Sequence, residues 1–496
     1  MSTNYQQGEL VVDAVTIVNS EQESVDILAL TSNITIYEAI DKPFLSGRIS
    51  VVDGLDMIKN YKLVGQESLT IKVRQREHVG DEMSAPDFSI DKVFRIYSVS
   101  DIKTVDQNTK TYVLNFVDPK YFICQKTKLS QTIRGSYSNM LLQILEENAG
   151  FKKLPKTAYD QWEETVPEHM QVVIPNWNVN KFISFVCENA ELKGNTSWKN
   201  SMFFYQTING EFRFDSFQSM TAREFPIGFD CYPRNSHANS EGENLNAEFT
   251  GLNTQILGYD VPQRFNTLKG VTSGAYASTL KTYDPIRKLE EENVYSITEV
   301  FKRGNDSGHV SKFPMIRTSE PETIYKAEEL LSGNDDPEFS EDTITLAPDV
   351  SYDSFTMHKV NMTNAFSDEA KLIDATNDKK QLTQQKGQEY RDTGPLERKA
   401  LLSMFEQNLV RVVIPFRSDM SVGTIVKLTL PTAELKDDEA SGDKMMDNRY
   451  LIGKITMSIN PLKNSGRLTL QTIKESYGAD IGTYKPLLEG RGPEAT

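Results

Sequence analysis

From residue 9 to residue 118, apolar and polar positions alternate in short runs with a period of two. Leu10 to Val18, Val25 to Leu30, Ile34 to Ile40, Leu45 to Val52, Ser68 to Val73, Phe94 to Val99 and Thr111 to Val117 are rich in β-branched and aromatic residues. Such runs predict strands. Asp41-Lys42-Pro43, Asp53-Gly54 and Asp106-Gln107-Asn108 interrupt them with turn-forming residues. Seven strands at this spacing predict a barrel or a sandwich.

After Asp118 the period lengthens. Met140, Leu141, Ile144 and Leu145 predict a helix over Asn139 to Ala149, with Gly150 as its stop. Further on, Pro175, Trp177 and Asn178 end an extended run and open a second helix. Phe182, Phe185, Val186 and Ala190 give it an apolar stripe at i, i+3, i+4 and i+8, and Gly194 is its predicted stop. Met202 to Gln206 and the run Phe212, Phe214, Phe217 flank Asn209-Gly210. That arrangement predicts a hairpin with a type I′ turn. Locally, then, a buried helix packs on an aromatic hairpin.

Thr254 to Asp260 reads as a strand, and Arg264 to Gly270 leads into Gly274 to Ser278. Residues 284 to 394 are polar, with few long apolar runs. Between Ser319 and Asp342 nine carboxylates face one basic residue, Lys326, which is half of the chain's net charge of −16. A solvated insertion is the plain reading, and a docking surface for a basic partner is the sharper one. Leu396, Ala400, Leu401, Met404 and Phe405 predict an amphipathic helix over Leu396 to Asn408, following Gly394-Pro395. The strand Leu409 to Pro415 comes next, β structure continues to about Lys474, and the Gly- and Pro-containing tail from Ala479 is expected to be mobile.

The two β regions echo one another. Val64-Gly65 followed by Leu69-Thr70-Ile71 matches Val422-Gly423 followed by Val426 to Leu430. Phe94 to Val99 matches Tyr450 to Ile455, and Tyr112 to Val117 matches Leu468 to Ile473. Agreement in order, spacing and turn position together favours a duplication.

Length adds that 496 residues exceed one core and suggest three or four domains. The apolar share of 38%, with 24 Phe and 20 Tyr, is enough for real cores and argues against a disordered chain. The net charge of −16 argues against sequence-wide binding to phosphate or to anionic lipid. The opening MSTNYQQGEL lacks the basic and apolar regions of a signal peptide, and no run approaches 18 apolar residues, so neither a leader nor a membrane helix is expected. Cys124, Cys187 and Cys231 are odd in number and widely spaced, with two in apolar surroundings. They fit buried thiols in a reducing compartment rather than a disulfide framework.

Catalytic chemistry finds no foothold. His78, His169, His237, His309 and His358 are scattered, and none has a metal-ligand partner at the right spacing. No Walker loop, GxGxxG or GxSxG occurs. Gly270 to Gly274 has the wrong order for a nucleophile elbow, and Glu290-Glu291-Glu292 reads as a solvated face before a glycosidase pair. Asp335-Asp336 and Asp447-Asn448 lack the other ligands of a calcium loop. The expectation is no catalytic residue, no cofactor site and no metal site.

Two stretches carry a resemblance. Pro175-x-Trp177, a helix with Phe182, Val186, Glu188 and Ala190, and an aromatic hairpin follow in the order found in the baseplate hub of contractile-tailed, T-even-like bacteriophages. Type VI secretion spike proteins share that module. Ile36 to Pro43, Gly47 to Asp53 and Val64 to Ile71 are similar to the first tube-forming barrel of the same hubs. The resemblance covers residues 8 to 280 and 395 to 478. It implies a mainly β fold with an α+β part, in which two similar barrels flank a helix-and-hairpin domain. The first barrel spans 8–118, the α+β domain 119–247, and the split second barrel 248–283 with 395–478. The acidic insertion at 284–394 and a flexible tail at 479–496 complete the division.

What the resemblance implies about function is structural. Three copies make a ring that joins a tail tube to a trimeric spike, with a channel for tape-measure protein and DNA. Expected partners are the other copies of a homotrimer, the spike, the tube or tube-initiator protein, the tape-measure protein and baseplate wedge proteins. Neither specific nucleic-acid binding nor a membrane is expected, and the site of action is the virion tail after assembly in the bacterial cytoplasm. Two alternatives stand beside this reading: the hub part of a type VI or injection-particle spike, and a cell-wall hydrolase of the tail tip. The first calls for an added oligosaccharide-binding-fold barrel and a repetitive β-helix, and the chain ends soon after its second β region without such repeats. The second calls for a carboxylate or Cys-His pair in a cleft.

Overall fold

A computed structural model describes residues 8–75, 89–230 and 255–296 apart from short breaks, strands 313–314 and 356–360, and residues 386–430 and 448–477, again with short breaks. The acidic stretch 319–342, Cys231, Gly194 and the tail from Ala479 lie outside the described residues.

The first β region contributes β1 (Leu10–Val18), β2 (Ser24–Asp26), β3 (Thr31–Ala39), β4 (Ser46–Asp53), the short helix α1 (Met57–Asn60), β5 (Ser68–Gln75), β6 (Ser89–Asp106) and β7 (Thr109–Val117). All seven runs expected there contain strand. Leu28–Leu30 alone turns instead into a 3-10 helix that leads into β3.

The α+β part follows with α2 (Pro119–Lys126), β8 (Lys128–Gly135), α3 (Tyr137–Asn148), β9 (Thr165–Val166), β10 (Met170–Asn178), α4 (Val179–Asn189), β11 (Glu191–Leu192), β12 (Met202–Gln206), β13 (Phe212–Ser216) and α5 (Phe217–Ala222). Side-chain oxygens start its helices. Asp118 accepts from the Lys120 N–H, Ser136 from that of Asn139, Asn178 from that of Lys181 and Ser216 from that of Ser219. Each satisfies an amide that the helix itself cannot.

Three local expectations are corrected. In α4 the buried stripe is Val179, Phe182, Ile183, Val186 and Cys187, with Phe185 only half-buried beside Trp177 and Tyr137. The helix stops at Asn189 rather than near Gly194, because Glu191 and Leu192 pair with Val166 and Thr165 and draw the chain out straight. The hairpin closes with a longer turn than type I′. The Gly210 N–H donates to the Thr207 carbonyl, Gly210 takes φ +94°, and the Thr207 N–H donates to the Glu211 carbonyl. That is a type I turn followed by a left-handed glycine, the usual three-residue alternative.

The second β region supplies β14 (Phe229–Asp230), β15 (Gly258–Gln263), α6 (Thr267–Ser273), β16 (Ala277–Asp284), β17 (Leu289–Ser296), β18 (Phe313–Pro314), β19 (Thr356–Val360) and α7 (Lys386–Gln407). β20 (Leu409–Pro415), β21 (Ile425–Thr429), β22 (Asn448–Asn460), β23 (Ser465–Ile473) and β24 (Ser476–Tyr477) end it. Helix α7 starts ten residues before the predicted Leu396, so Pro395 lies inside it. Its buried apolar residues Leu396, Ala400, Leu401, Met404 and Phe405 are those expected, and Glu397 and Ser403 are buried beside them.

The chain is mainly β, with helices concentrated in the middle. Thirteen strands share one sheet, in the order β15-β20-β23-β22-β3-β4-β7-β6-β5-β1-β2, with β21 on β22 and β14 on β21. The path is open. No closed barrel is seen among the described strands; the two β regions continue as one sheet because β3 is paired by β22, from Lys454↔Ala39 to Ile459↔Ile34. A strand has only two edges, and the other belongs to β4.

Buried apolar side chains form two clusters. The larger joins both β regions through Ile34, Ile36, Phe94, Phe116, Tyr450, Ile455 and Met457. The smaller lies under α3 and α4. Strand β12 is buried on both faces and serves both: Phe203 and Tyr205 enter the larger core, and Met202 and Phe204 the smaller. The helix-and-hairpin part is thereby packed directly onto the sheet.

Candidate assembly surface

The two β regions repeat one another down to their irregularities. In the first, Leu69 pairs with Phe94 and Ser68 with Arg95. In the second, Val426 pairs with Tyr450 and Ile425 with Leu451. Across the next ladder Arg95, Ile96, Ser98 and Val99 face Val117, Phe116, Asn115 and Leu114, with Tyr97 bulged out. Leu451, Ile452, Lys454 and Ile455 face Ile473, Thr472, Gln471 and Leu470, with Gly453 bulged out. The residue that the echo places opposite each partner is the one found, and the β-bulge falls at the same step. The glycines also correspond, Gly65 with φ +87° and Gly423 with φ +76°. A bulge is one inserted residue at one position of a ladder, so matching bulges are far more specific than matching strands.

The seam between the repeats holds a buried carboxyl. Glu38 on β3 is buried beside Ile455 of β22, and its Oε1 accepts the Val422 N–H at 2.9 Å. Burial raises its carboxyl to about 8, against the opposing pull of the Val422 and Ile208 amides and of the Arg213 and Lys92 charges. At neutral pH most of this group is a neutral acid. Sequence reading passed over Glu38. The signal was there, since Ile34, Ile36 and Ile40 mark an inward face on which position 38 should be apolar.

A second polar knot ties the hairpin to the second repeat. Asp215 on β13 receives Arg223 at 2.7 and 2.8 Å and the Tyr205 hydroxyl at 2.7 Å. Burial works against the Arg223 charge, but its bonds to Asp215 more than offset that and hold the guanidinium protonated; burial also raises the Tyr205 hydroxyl well above its ordinary value. The Arg223 carbonyl accepts the Ile425 N–H at the start of β21. Tyr205 packs directly against Gly423, where a Cβ would meet its hydroxyl.

The residues screened for chemistry are not brought together. Glu290, Glu291 and Glu292 lie on β17 opposite Tyr283, Thr282 and Lys281, and Glu292 pairs with Lys281 at 3.4 Å. Ser273 ends α6, its hydroxyl 2.7 Å from that of Ser403. His358 is on β19 in parallel register with Lys281, and the other four histidines lie outside the described residues, as do Asp335-Asp336 and Asp447. Cys124 and Cys187 are free and buried, and burial pushes their thiols up to about 12 and about 11. Neither is a ready nucleophile at neutral pH. Among the described residues no group of three His, Cys, Asp or Glu side chains could hold a metal ion. No described helix is long and apolar enough to cross a membrane.

A cavity of about 560 Å³ opens between Val18, Asn19, Gly65, Arg95 and Phe122. Tyr121, Phe122 and Ile123 of α2 are partly exposed there or nearby. It has the character of a surface groove, with no cluster of titratable groups converging on it.

No family profile and no curated protein sequence matches the chain. Among solved structures, it is similar to the 43 kDa tail protein of prophage MuSo2 from Shewanella oneidensis, with 7% identity over 94% of this chain and 99% of that one, at a TM-score of 0.47. A tail protein from Neisseria meningitidis MC58 is similar at 9% identity, over 93% and 96% of the two chains, with a TM-score of 0.45. An Escherichia coli component of the type VI secretion system, described as structurally similar to T4 bacteriophage tail proteins, follows at 9% identity, 92% and 76% coverage and a TM-score of 0.36.

Proposed function

We propose that this chain is a structural protein of a phage-type tail end or of the related type VI spike, and within that class the central hub of a baseplate. The observation that supports this is the repeat itself: two β units alike in register and bulge position, fused edge to edge in one sheet. Two like units per chain allow three chains to present six nearly equivalent positions. A threefold spike can then meet a sixfold tube without a symmetry clash.

In this reading three copies form a ring between tail tube and spike, with tape-measure protein and then DNA passing through its channel. Contacts with the tube initiator and the wedge proteins surround it. The ring acts in the virion tail, after assembly in the host cytoplasm, and works without catalysis. The net charge of −16 suits a conduit, because an acidic chain does not retain a polyanion.

Electron microscopy of the purified chain, alone and with its tube or spike partner, tests the reading. Threefold rings with a central opening are expected, and monomers under both conditions overturn it. Incubation with peptidoglycan separates the hydrolase alternative: no release of soluble fragments is expected, and sustained release overturns the assignment.

A further inference from the structure

Among the described strands the repeat leaves two edges unmatched, and they are complementary. In the second repeat β22 is paired along one edge by β21, at Asn448–Leu451, and then by β3, at Lys454–Ile459. In the first repeat the corresponding edge of β6 is paired by β5 only as far as Arg95. Beyond it, β6 runs on through Asp101–Asp106 held by β7 alone among the described strands, and those six residues are all exposed. Ile102 is 55% and Val105 67% exposed. What β6 lacks is a counterpart of β3.

That counterpart exists at the other end of the sheet. β3 pairs with β4 as β15 pairs with β20, which aligns Ile34 with Tyr259, Thr35 with Asp260 and Tyr37 with Gln263. β15 is the last strand of the sheet, bonded to β20 on one edge and to no described strand on the other. Its Tyr259 is 42% exposed, next to the exposed Leu257. Among the described strands, one chain thus carries an unmatched β3 equivalent at one end and an unmatched β22 equivalent at the other. Long open edges with apolar side chains are templates for pairing.

We propose that β15 of one copy pairs antiparallel with the Ser100–Thr104 segment of β6 in a second copy, in the register that β3 and β22 already use within the chain. Transferring Thr456↔Tyr37, Ser458↔Thr35 and Ile459↔Ile34 sets Ser100 opposite Gln263, Lys103 opposite Asp260 and Thr104 opposite Tyr259. Two features internal to the chain support this register. β6 has one residue more between Ser100 and Lys103 than β22 has between Thr456 and Ser458, and β15 has one residue more between Asp260 and Gln263 than β3 has between Thr35 and Tyr37. The two extra residues fall opposite each other, so neither strand is forced out of step. Lys103 also meets Asp260, an opposite-charge pair directly across a ladder. Pro262, which has no N–H to give, falls in that widened interval, where a strand tolerates it.

The contact is head-to-tail, so it propagates from copy to copy and closes into a ring when the rotation allows. The inference rests on the ring reading and specifies how neighbouring subunits meet. Its test is oxidative cross-linking of the full-length chain carrying Thr104→Cys with Tyr259→Cys, read on non-reducing gels beside light scattering of the same sample. The expected result is cross-linked dimers and larger species for this pair. Thr104→Cys with Leu257→Cys, two residues out of register, should not rise above the single-cysteine backgrounds. Lys103→Asp should weaken association and Asp260→Lys in the same chain should restore it. Oligomers that cross-link equally in both registers, or in neither, overturn the strand pairing and leave the ring standing. A chain monomeric at every concentration and with its partners overturns both.

Discussion

The amide of Val422 donates to the buried carboxyl of Glu38 at 2.9 Å, joining the turn before one repeat's second strand to the edge strand of the other. A neutral acid can accept that bond, whereas an ionised one would be buried with the Val422 and Ile208 amides and the Arg213 and Lys92 charges offsetting only part of the cost. Its raised pKa therefore has a cost that depends on pH.

In the unfolded chain the Glu38 carboxyl returns to its ordinary 4.5, while in the fold it titrates at about 8. Between those values the folded state holds a proton that the unfolded state has released. Stability from this group is full below about 4.5, falls by about 1.4 kcal/mol per pH unit as pH rises, and levels off above about 8. Glu38→Gln keeps the acceptor and removes the titration. Urea midpoints at pH 5 and pH 8 should diverge in the parent and converge relative to it in the variant. An identical pH dependence in both chains would sink the idea.

Phe182 is fully buried in α4, whereas Phe185 is half-buried between Trp177 and Tyr137. Phe182→Ala should cost about 3–5 kcal/mol and Phe185→Ala roughly half as much, since the cavity term needs enclosure. Equal losses in denaturant titration would place the two rings in equivalent surroundings.

Gly65 and Gly423 occupy matching left-handed turns with different neighbours. A Cβ at Gly65 meets only the Tyr97 backbone at 3.6 Å, so Gly65→Ala should show the backbone strain alone, about 1–2 kcal/mol. At Gly423 the same methyl would drive into the Tyr205 hydroxyl and break its bond to Asp215. Gly423→Ala should lower the thermal midpoint distinctly more. A reversed order would mean that the hairpin can yield at this point.

Asp215 is buried and holds both Arg223 and Tyr205. Asp215→Ala leaves a guanidinium half-sheltered with no anion and should cost about 3–5 kcal/mol. Asp215→Ala combined with Arg223→Met should recover part of that loss. Calorimetry showing the double variant no better than the single one would mean the pair is not an isolated unit.

The sequence made the strands of both repeats legible, because each buries one face and the alternation of Ile34, Ile36 or Val410, Val412, Ile414 is written into the residues. It carried the correspondence of Phe94 with Tyr450 for the same reason. The joining of β3 to β22 was not legible. Any apolar edge strand can meet any other, and nothing local to Ile34 names Ile459 as its partner. The end of α4 was misplaced because Gly194 is a strong local stop, while the actual stop is a pairing with Thr165 and Val166 set by tertiary structure. Of the seam, Glu38 was readable as a misplaced charge, but its donor, 384 residues away, was not.

That distance has a consequence for the nascent chain. The Ser458 hydroxyl bonds to Asn33 across 425 residues, and β3 receives its second neighbour only when β22 has been made. At about 5–20 residues per second, the ribosome leaves the outer edge of β3 bare for on the order of tens of seconds. The first repeat must either wait in an unfinished state or shield that edge by other means. Conditions that slow translation should therefore lower the soluble yield of this chain more than conditions that slow its transcription.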